Sequence, residues 1–270
     1  MTATALPSSA SRALATLIGT KPGPAIVLGV SDPAVWIGKE DGVLVVSTTD
    51  AVRLPNGVVI ALAASDRPFA RVRSGEEAMV GGGAVEFSSL TVRVVRWWDP
   101  VPALVHSRPG EVAAVVRTLD GIVPGIPDHG LEASLAAGDE EAALDTARRL
   151  IGLGDGLTPM GDDLLAGAVS GMLLMGRSLG EEGCAALIQR LEGSAMEHAA
   201  SATTTFSAAL LGHAFRGEVA APAANLLASM AGRGDAVAAA RDLLEVGHSS
   251  GPALAAGILA GARAAIERSS

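Results

Sequence analysis

The hydrophobic pattern changes period once, near Pro109, and that change decides what the chain can fold into. Before it, "AIVLGV", "AVWIG", "GVLVVST", "GVVIALA" and "LTVRVVRWW" are β-branched runs of strand length. The turn signals Asp32-Pro33, Asp41-Gly42 and Asn56-Gly57 separate them. Asn-Gly between apolar runs predicts a hairpin. A short helix from Ser9 to Ile18 is expected ahead of these runs, so the first half reads as a small antiparallel or mixed sheet. After Pro109, stretches such as "GEVAAVVRTLDGI", "EEAALDTARRLIG", "DDLLAGAVSGMLLMG" and "PALAAGILAGARAAIER" carry helical spacing with Gly or Pro punctuation. Their alanines and glycines predict a tightly packed bundle. The expected architecture is α+β: a β-rich N-terminal subdomain over residues 1–108, then an Ala/Gly-rich helical subdomain over 109–270.

Composition removes several functional classes. Hydrophobic residues make up 49% of the chain, yet no stretch reaches the roughly 18–20 apolar residues of a membrane span. Leu164 to Met175, the longest candidate, is interrupted by two glycines and a serine and reads as a buried helix. The first residues lack the basic start and continuous apolar core of a secretory signal. Cys184 is the single cysteine, so neither an intrachain disulfide nor a multi-cysteine metal site is available. A cytoplasmic protein is the expectation. A net charge of −9, the absence of tyrosine and the lack of a basic cluster argue against nucleic acid as a partner. Lysine occurs only as Lys21 and Lys39, so an anion site would draw on arginine, backbone N–H groups, helix N-termini or another subunit.

One stretch is hard to explain by stability alone. "LIGLGDGLTPMGDDLLAG", Leu150 to Gly167, places Gly152, Gly154, Gly156 and Gly161 around Thr158-Pro159, followed by Asp162 and Asp163 at the mouth of an apolar helix. Glycines as cap and turn, with Thr158 or Asp162 as N-cap, account for part of it. The other reading is a loop whose backbone approaches a small anion. Successive helical residues diverge by about 100°, so the two carboxylates cannot both address one atom. One would face a ligand while the other orients the loop. No Gly-Lys-Ser/Thr follows and no strand precedes, so the stretch is not a nucleotide-binding signature.

Two further stretches join it. In "EVGHSSGPALAAG", "GHSSG" fits G-x-S-x-G, but a helical segment precedes Ser249 and no histidine follows it, which excludes a hydrolase elbow. What remains is a helix-to-helix turn that projects His248 and Ser249, with Ser250, Gly251 and Pro252 opening the next helix. "ASATTTFSAALLGHAFRGE" supplies the hydroxyls of Thr203, Thr204, Thr205 and Ser207, with His213 and Arg216 further on. A threonine run is more often a cap than a ligand site.

In this order and spacing the three stretches resemble the AllH-type family, whose namesake is a subunit of oxamate carbamoyltransferase in anaerobic allantoin breakdown. The resemblance covers residues 150–265; the β-rich half carries no matching motif. Met160 stands where a serine is expected, and Ala253 where an aspartate often follows "SSG". The resemblance implies exchange of phosphate and an N-carbamoyl acid with carbamoyl phosphate and an amide acid. It also implies a hetero-oligomer with an acyl-CoA-synthetase-like subunit and another large subunit. Under it, Asp162, Asp163 and His248 are the catalytic candidates. Gly152, Gly154, Gly156, Thr158, Gly161, Thr204, Arg216, Ser249, Ser250 and Gly251 are the candidates for holding the anionic substrate, with Arg149 as a second source of charge. Two alternatives stand beside it: a non-catalytic interface or regulatory subunit, and a stand-alone phosphoryl- or carbamoyl-group enzyme using Asp162 and Asp163 with magnesium.

Overall fold

The computed structural model describes residues 4–40 and 42–269, so Asp41 of the expected Asp41-Gly42 turn lies outside the described residues. The chain divides into two compact units, Met1–Pro100 and Val101–Ser270. The first is a closed eight-stranded barrel and the second is helical, a mixed α+β protein in which the barrel closure was not foreseen.

The barrel strands are β1 (Thr4–Ser11), β2 (Gly23–Val30), β3 (Ala34–Lys39), β4 (Gly42–Ser47), β5 (Gly57–Ile60), β6 (Glu77–Gly81), β7 (Ala84–Glu86) and β8 (Leu90–Trp98). They pair in the order β1-β5-β4-β3-β2-β6-β7-β8, and β8 returns to β1. The β1–β8 and β4–β5 pairs are parallel and the rest antiparallel. Val27, Ile37, Leu44, Val46, Val58, Ile60, Val80, Val85 and Val92 are buried together in its core. Eight strands enclose an interior just wide enough for side chains, so the barrel is filled.

Three expectations for this unit are corrected. The helix placed at Ser9 to Ile18 starts later: β1 runs through Ser11, whose hydroxyl accepts from the Ala13 amide at 3.2 Å and opens a 3-10 turn (Arg12–Leu14) that leads into α1 (Ala15–Gly19). Asn56-Gly57 is no hairpin, because β4 and β5 run parallel. Asn56 is instead fully buried and bridges them, its side-chain amide donating to the Val43 carbonyl at 3.0 Å while its own carbonyl accepts from Val45. The strands β1, β6 and β7 were not anticipated; β1 is half hydroxyl residues and carries a proline, and the other two are short.

The helical unit contains α2 (Pro109–Leu119), α3 (Leu131–Ala137), α4 (Glu140–Leu150), α5 (Met160–Leu179), α6 (Glu182–Ala202), α7 (Thr205–Phe215), α8 (Ala221–Met230), α9 (Ala236–Leu244) and α10 (Ser250–Arg268). Only the seven-residue α3 escaped the periodicity reading. No helix among the described residues is long and apolar enough to cross a membrane. α5 is buried on almost every side, as its all-round apolar sequence requires. It packs along α10 backbone to backbone. A methyl group on Gly257 of α10 would lie 2.1 Å from the Leu164 carbonyl oxygen, and one on Gly261 2.1 Å from that of Ala168. Reciprocally, a methyl on Gly167 of α5 would meet the Leu254 carbonyl at 2.2 Å, and one on Gly171 that of Ile258 at 2.6 Å. Only hydrogen fits at these four positions.

Gly257→Ala should therefore lower the unfolding free energy by about 1–3 kcal/mol or more, because the helices must separate to admit a methyl. Gly193→Ala on the exposed side of α6, where nothing lies within 4 Å, should instead stabilise by about 0.5–1 kcal/mol. Urea unfolding of both variants checks the contrast in sign.

Candidate functional site

The glycine-rich loop joins α4 to α5, and most of its unusual residues answer to neighbouring protein. Gly152 has φ +78°, and a methyl there would lie 2.1 Å from the Ala202 carbonyl oxygen at the end of α6. Gly161 would bring a methyl within 2.1 Å of the Leu150 carbonyl, and Gly251 within 2.0 Å of the Leu243 carbonyl. Gly154 and Gly156 also hold positive φ, and Gly156 faces open space. The amides at the helix starts are engaged: Gly161 donates to Leu153, Asp162 and Asp163 to Pro159, and Gly251 to Val246. Pro252 has no N–H. The first turns of α5 and α10 are thus not open cradles. The amides of residues 154–158, of which 154–157 are exposed and Thr158 is half-buried, form no backbone hydrogen bond among the described residues.

The adjacent aspartates have opposite environments. Asp162 is 2% exposed and its carboxylate is saturated. Oδ1 accepts from the Gly152 amide at 2.7 Å; Oδ2 accepts from the Ser207 hydroxyl at 2.7 Å and from the Thr203 hydroxyl. It fastens the loop and the α6–α7 junction to the start of α5. Thr204 completes the fastening, accepting from the Ser207 amide at 3.0 Å as the N-cap of α7 and donating to the Leu157 carbonyl at 2.6 Å. Thr203 and Ser207 were seen in the sequence as hydroxyls without an assigned partner. No local signal joins them to Asp162, which lies 41 and 45 residues away in the chain.

Asp163 is half-buried, and its Oδ2 is shielded from solvent without a hydrogen-bond partner. Beside it the two motifs meet: Thr158 Oγ1 and Ser250 Oγ lie 2.9 Å apart across 92 residues of chain. Burial pushes the Asp163 carboxyl from its ordinary 3.8 up to about 7; the Ser250 and Thr158 hydroxyls oppose the rise and the negative Asp162 adds to it. No cation is among these influences. At neutral pH the group therefore divides between acid and carboxylate. His248 and Ser249 are exposed on the turn that leads into Ser250.

Other candidates lie elsewhere. Arg216 caps the C-terminal end of α7, eleven residues of helix away from Thr204, or about 18 Å along its axis. There it is held by Glu218 at 3.1 Å and Glu192 at 3.8 Å, with His213 Nδ1 2.7 Å from the same Glu218 carboxylate. Arg149 donates to Thr146 on its own helix at 2.7 Å. Ala253 is fully buried, so an aspartate in its place would face the interior. As a magnesium site the aspartate pair does not fit: both Asp162 oxygens are already occupied by N–H and O–H donors. No group of three metal-ligating His, Cys, Asp or Glu side chains occurs among the described residues.

Asp163→Asn should change the pH dependence of stability. A carboxyl raised in the folded state costs stability as pH climbs from about 4 to 7, where the unfolded chain ionises first, and the cost is constant above that range. Relative to the parent, the variant should gain as much as a few kcal/mol across that window, read from urea unfolding at successive pH values. Asp162→Ala should cost about 3 kcal/mol or more at neutral pH, since three donors lose their acceptor.

Comparison with known families finds a match over residues 150–262, to the family described as oxamate carbamoyltransferase subunit AllH. Neither the curated proteins nor the solved structures gave a match. The matched residues begin at the last residue of α4 and run through α10 as far as Ala262. The segment that carries Asp162, Asp163, Thr158 and Ser250, less than half of the chain, is thus similar to the family of oxamate carbamoyltransferase subunits AllH.

Proposed function

We propose that this chain is a subunit of a carbamoyltransferase of the oxamate type and contributes Asp163, Thr158 and Ser250 to the site of carbamoyl transfer. One observation carries the reading: a carboxyl poised near neutrality, its Oδ2 unpartnered, stands beside two hydroxyls at the point where the helix starts of α5 and α10 meet. A group poised between acid and base near the working pH is suited to proton transfer. Phosphate oxygen attacks the carbamoyl carbon of an N-carbamoyl amide acid, forming the C–O bond of carbamoyl phosphate as the C–N bond breaks. The departing amide nitrogen takes its proton from neutral Asp163, and the attacking phosphate hydroxyl returns one to the carboxylate. The Thr158 and Ser250 hydroxyls orient the carboxyl and accept or donate to the substrate. Asp162 acts as a positioning residue, holding the loop. In this reading His248, which is exposed on the adjoining turn, meets the acid group of the substrate.

A second reading of the same loop has its own observation. Leu153 and Leu157 are 41% and 49% exposed on the glycine-rich segment. Apolar side chains presented this way suit a subunit contact, and the absence of a cation near Asp163 would then be met from the other side. An acyl-CoA-synthetase-like partner is the proposed neighbour, in a hetero-oligomer whose site lies at the boundary between subunits.

The test is turnover of the assembled complex. Asp163→Asn should fold, assemble and lose about 100-fold or more in kcat, the scale of general acid–base catalysis. Full turnover with this variant would end the catalytic reading. Failure of Leu157→Asp to assemble, with the isolated chain folded, would support the contact reading.

A further inference from the structure

We propose that the barrel unit holds a second anion-binding site, for a carboxylate or phosphate borne on a planar apolar body, in a groove of about 450 Å³ at the β1–β5–β8 face. The groove is lined by Arg53, Arg96, Trp98, Ser9, Val59 and Val95, among others, and no carboxylate lines it. Its shape follows from a break in register. Along the parallel β1–β8 pair, Ser8 lies opposite Val94 but Ser9 opposite Arg96, so Val95 is an extra residue. Such a bulge re-aims side chains and interrupts the ladder. Here Val95 is left 59% exposed, and Arg96 and Trp98 both line the groove. From the β4–β5 connection, Arg53 places its guanidinium 5.4 Å from the centre of the Trp98 ring.

Charge selects the ligand. In a chain of net charge −9, a guanidinium has many acidic groups to pair with, yet neither Arg53 nor Arg96 forms an ion pair among the described residues. The nearby Asp50 is committed to the Ala64 amide. Two guanidinium groups thus face one concavity of ligand size with an indole as its wall. Guanidinium recognises the planar oxygens of carboxylate and phosphate, and the indole face recognises a flat body.

The test titrates the full chain with phenyl phosphate, benzoate, inorganic phosphate and benzyl alcohol, followed by calorimetry and tryptophan fluorescence. Phenyl phosphate or benzoate should bind, the tighter of the two naming the head group, and inorganic phosphate and benzyl alcohol should bind at least tenfold more weakly. Arg53→Met and Arg96→Met should each raise Kd about tenfold or more, as loss of a charge-assisted bond requires, with the unfolding midpoint unchanged. Trp98→Leu should weaken phenyl phosphate and leave inorganic phosphate as it was. Absence of aromatic-anion binding at millimolar concentration, binding indifferent to both arginine substitutions, or equal affinity for benzyl alcohol would overturn the proposal.

Discussion

The contact between α5 and α10 is the constraint on which the helical unit depends. Four glycines, two on each helix and four residues apart, let each backbone lie against the carbonyls of the other. Leucine ridges in grooves keep helix axes about 8–10 Å apart; glycine removes the ridge and lets van der Waals contact run along the backbone. Both helices are buried along most of their length, so their spacing is transmitted to everything packed around them.

That spacing fixes where the two helices begin. Because the Thr158 and Ser250 hydroxyls meet across those beginnings, the Asp163 environment is a property of the helix pair. The loop does not define it alone. The neighbouring Asp162 spends its whole hydrogen-bonding capacity on the loop and on the α6–α7 junction, which leaves Asp163 as the carboxyl with something to offer. One carboxylate is held by donors on both oxygens, and the other is raised by burial. Helical geometry alone separates the fates of two identical side chains one residue apart.

Much of this was legible in the residues. The helical segments follow from spacing and punctuation, the tight bundle from Ala and Gly, and the divergence of Asp162 and Asp163 from the period of the helix. What could not be read was long-range. Saturation of Asp162 needs Thr203 and Ser207, more than forty residues away. The glycines looked like room for a ligand because a sequence cannot say that Ala202, Leu150 and Leu243 carbonyls fill the same space. In the barrel, Asn56-Gly57 carries the local chemistry of a hairpin, but the pairing of β4 with β5 is parallel and a buried amide bridge took its place. β1 was hidden because TALPSSAS contains a proline and no β-branched apolar residue, so it lacks the strand signature that its neighbours carry.

The parallel seam between β1 and β8 has a consequence for biogenesis. The first strand of the barrel to be synthesised bonds to the last, with Ser8 reaching the Arg93 carbonyl 85 residues downstream. At translation speeds of about 5–20 residues per second, β1 waits several seconds for its partner. During that delay its N–H and C=O groups must bond to water in place of β8. Synonymous codons that slow or hasten synthesis of this stretch would lengthen or shorten that vulnerable interval without altering the finished protein.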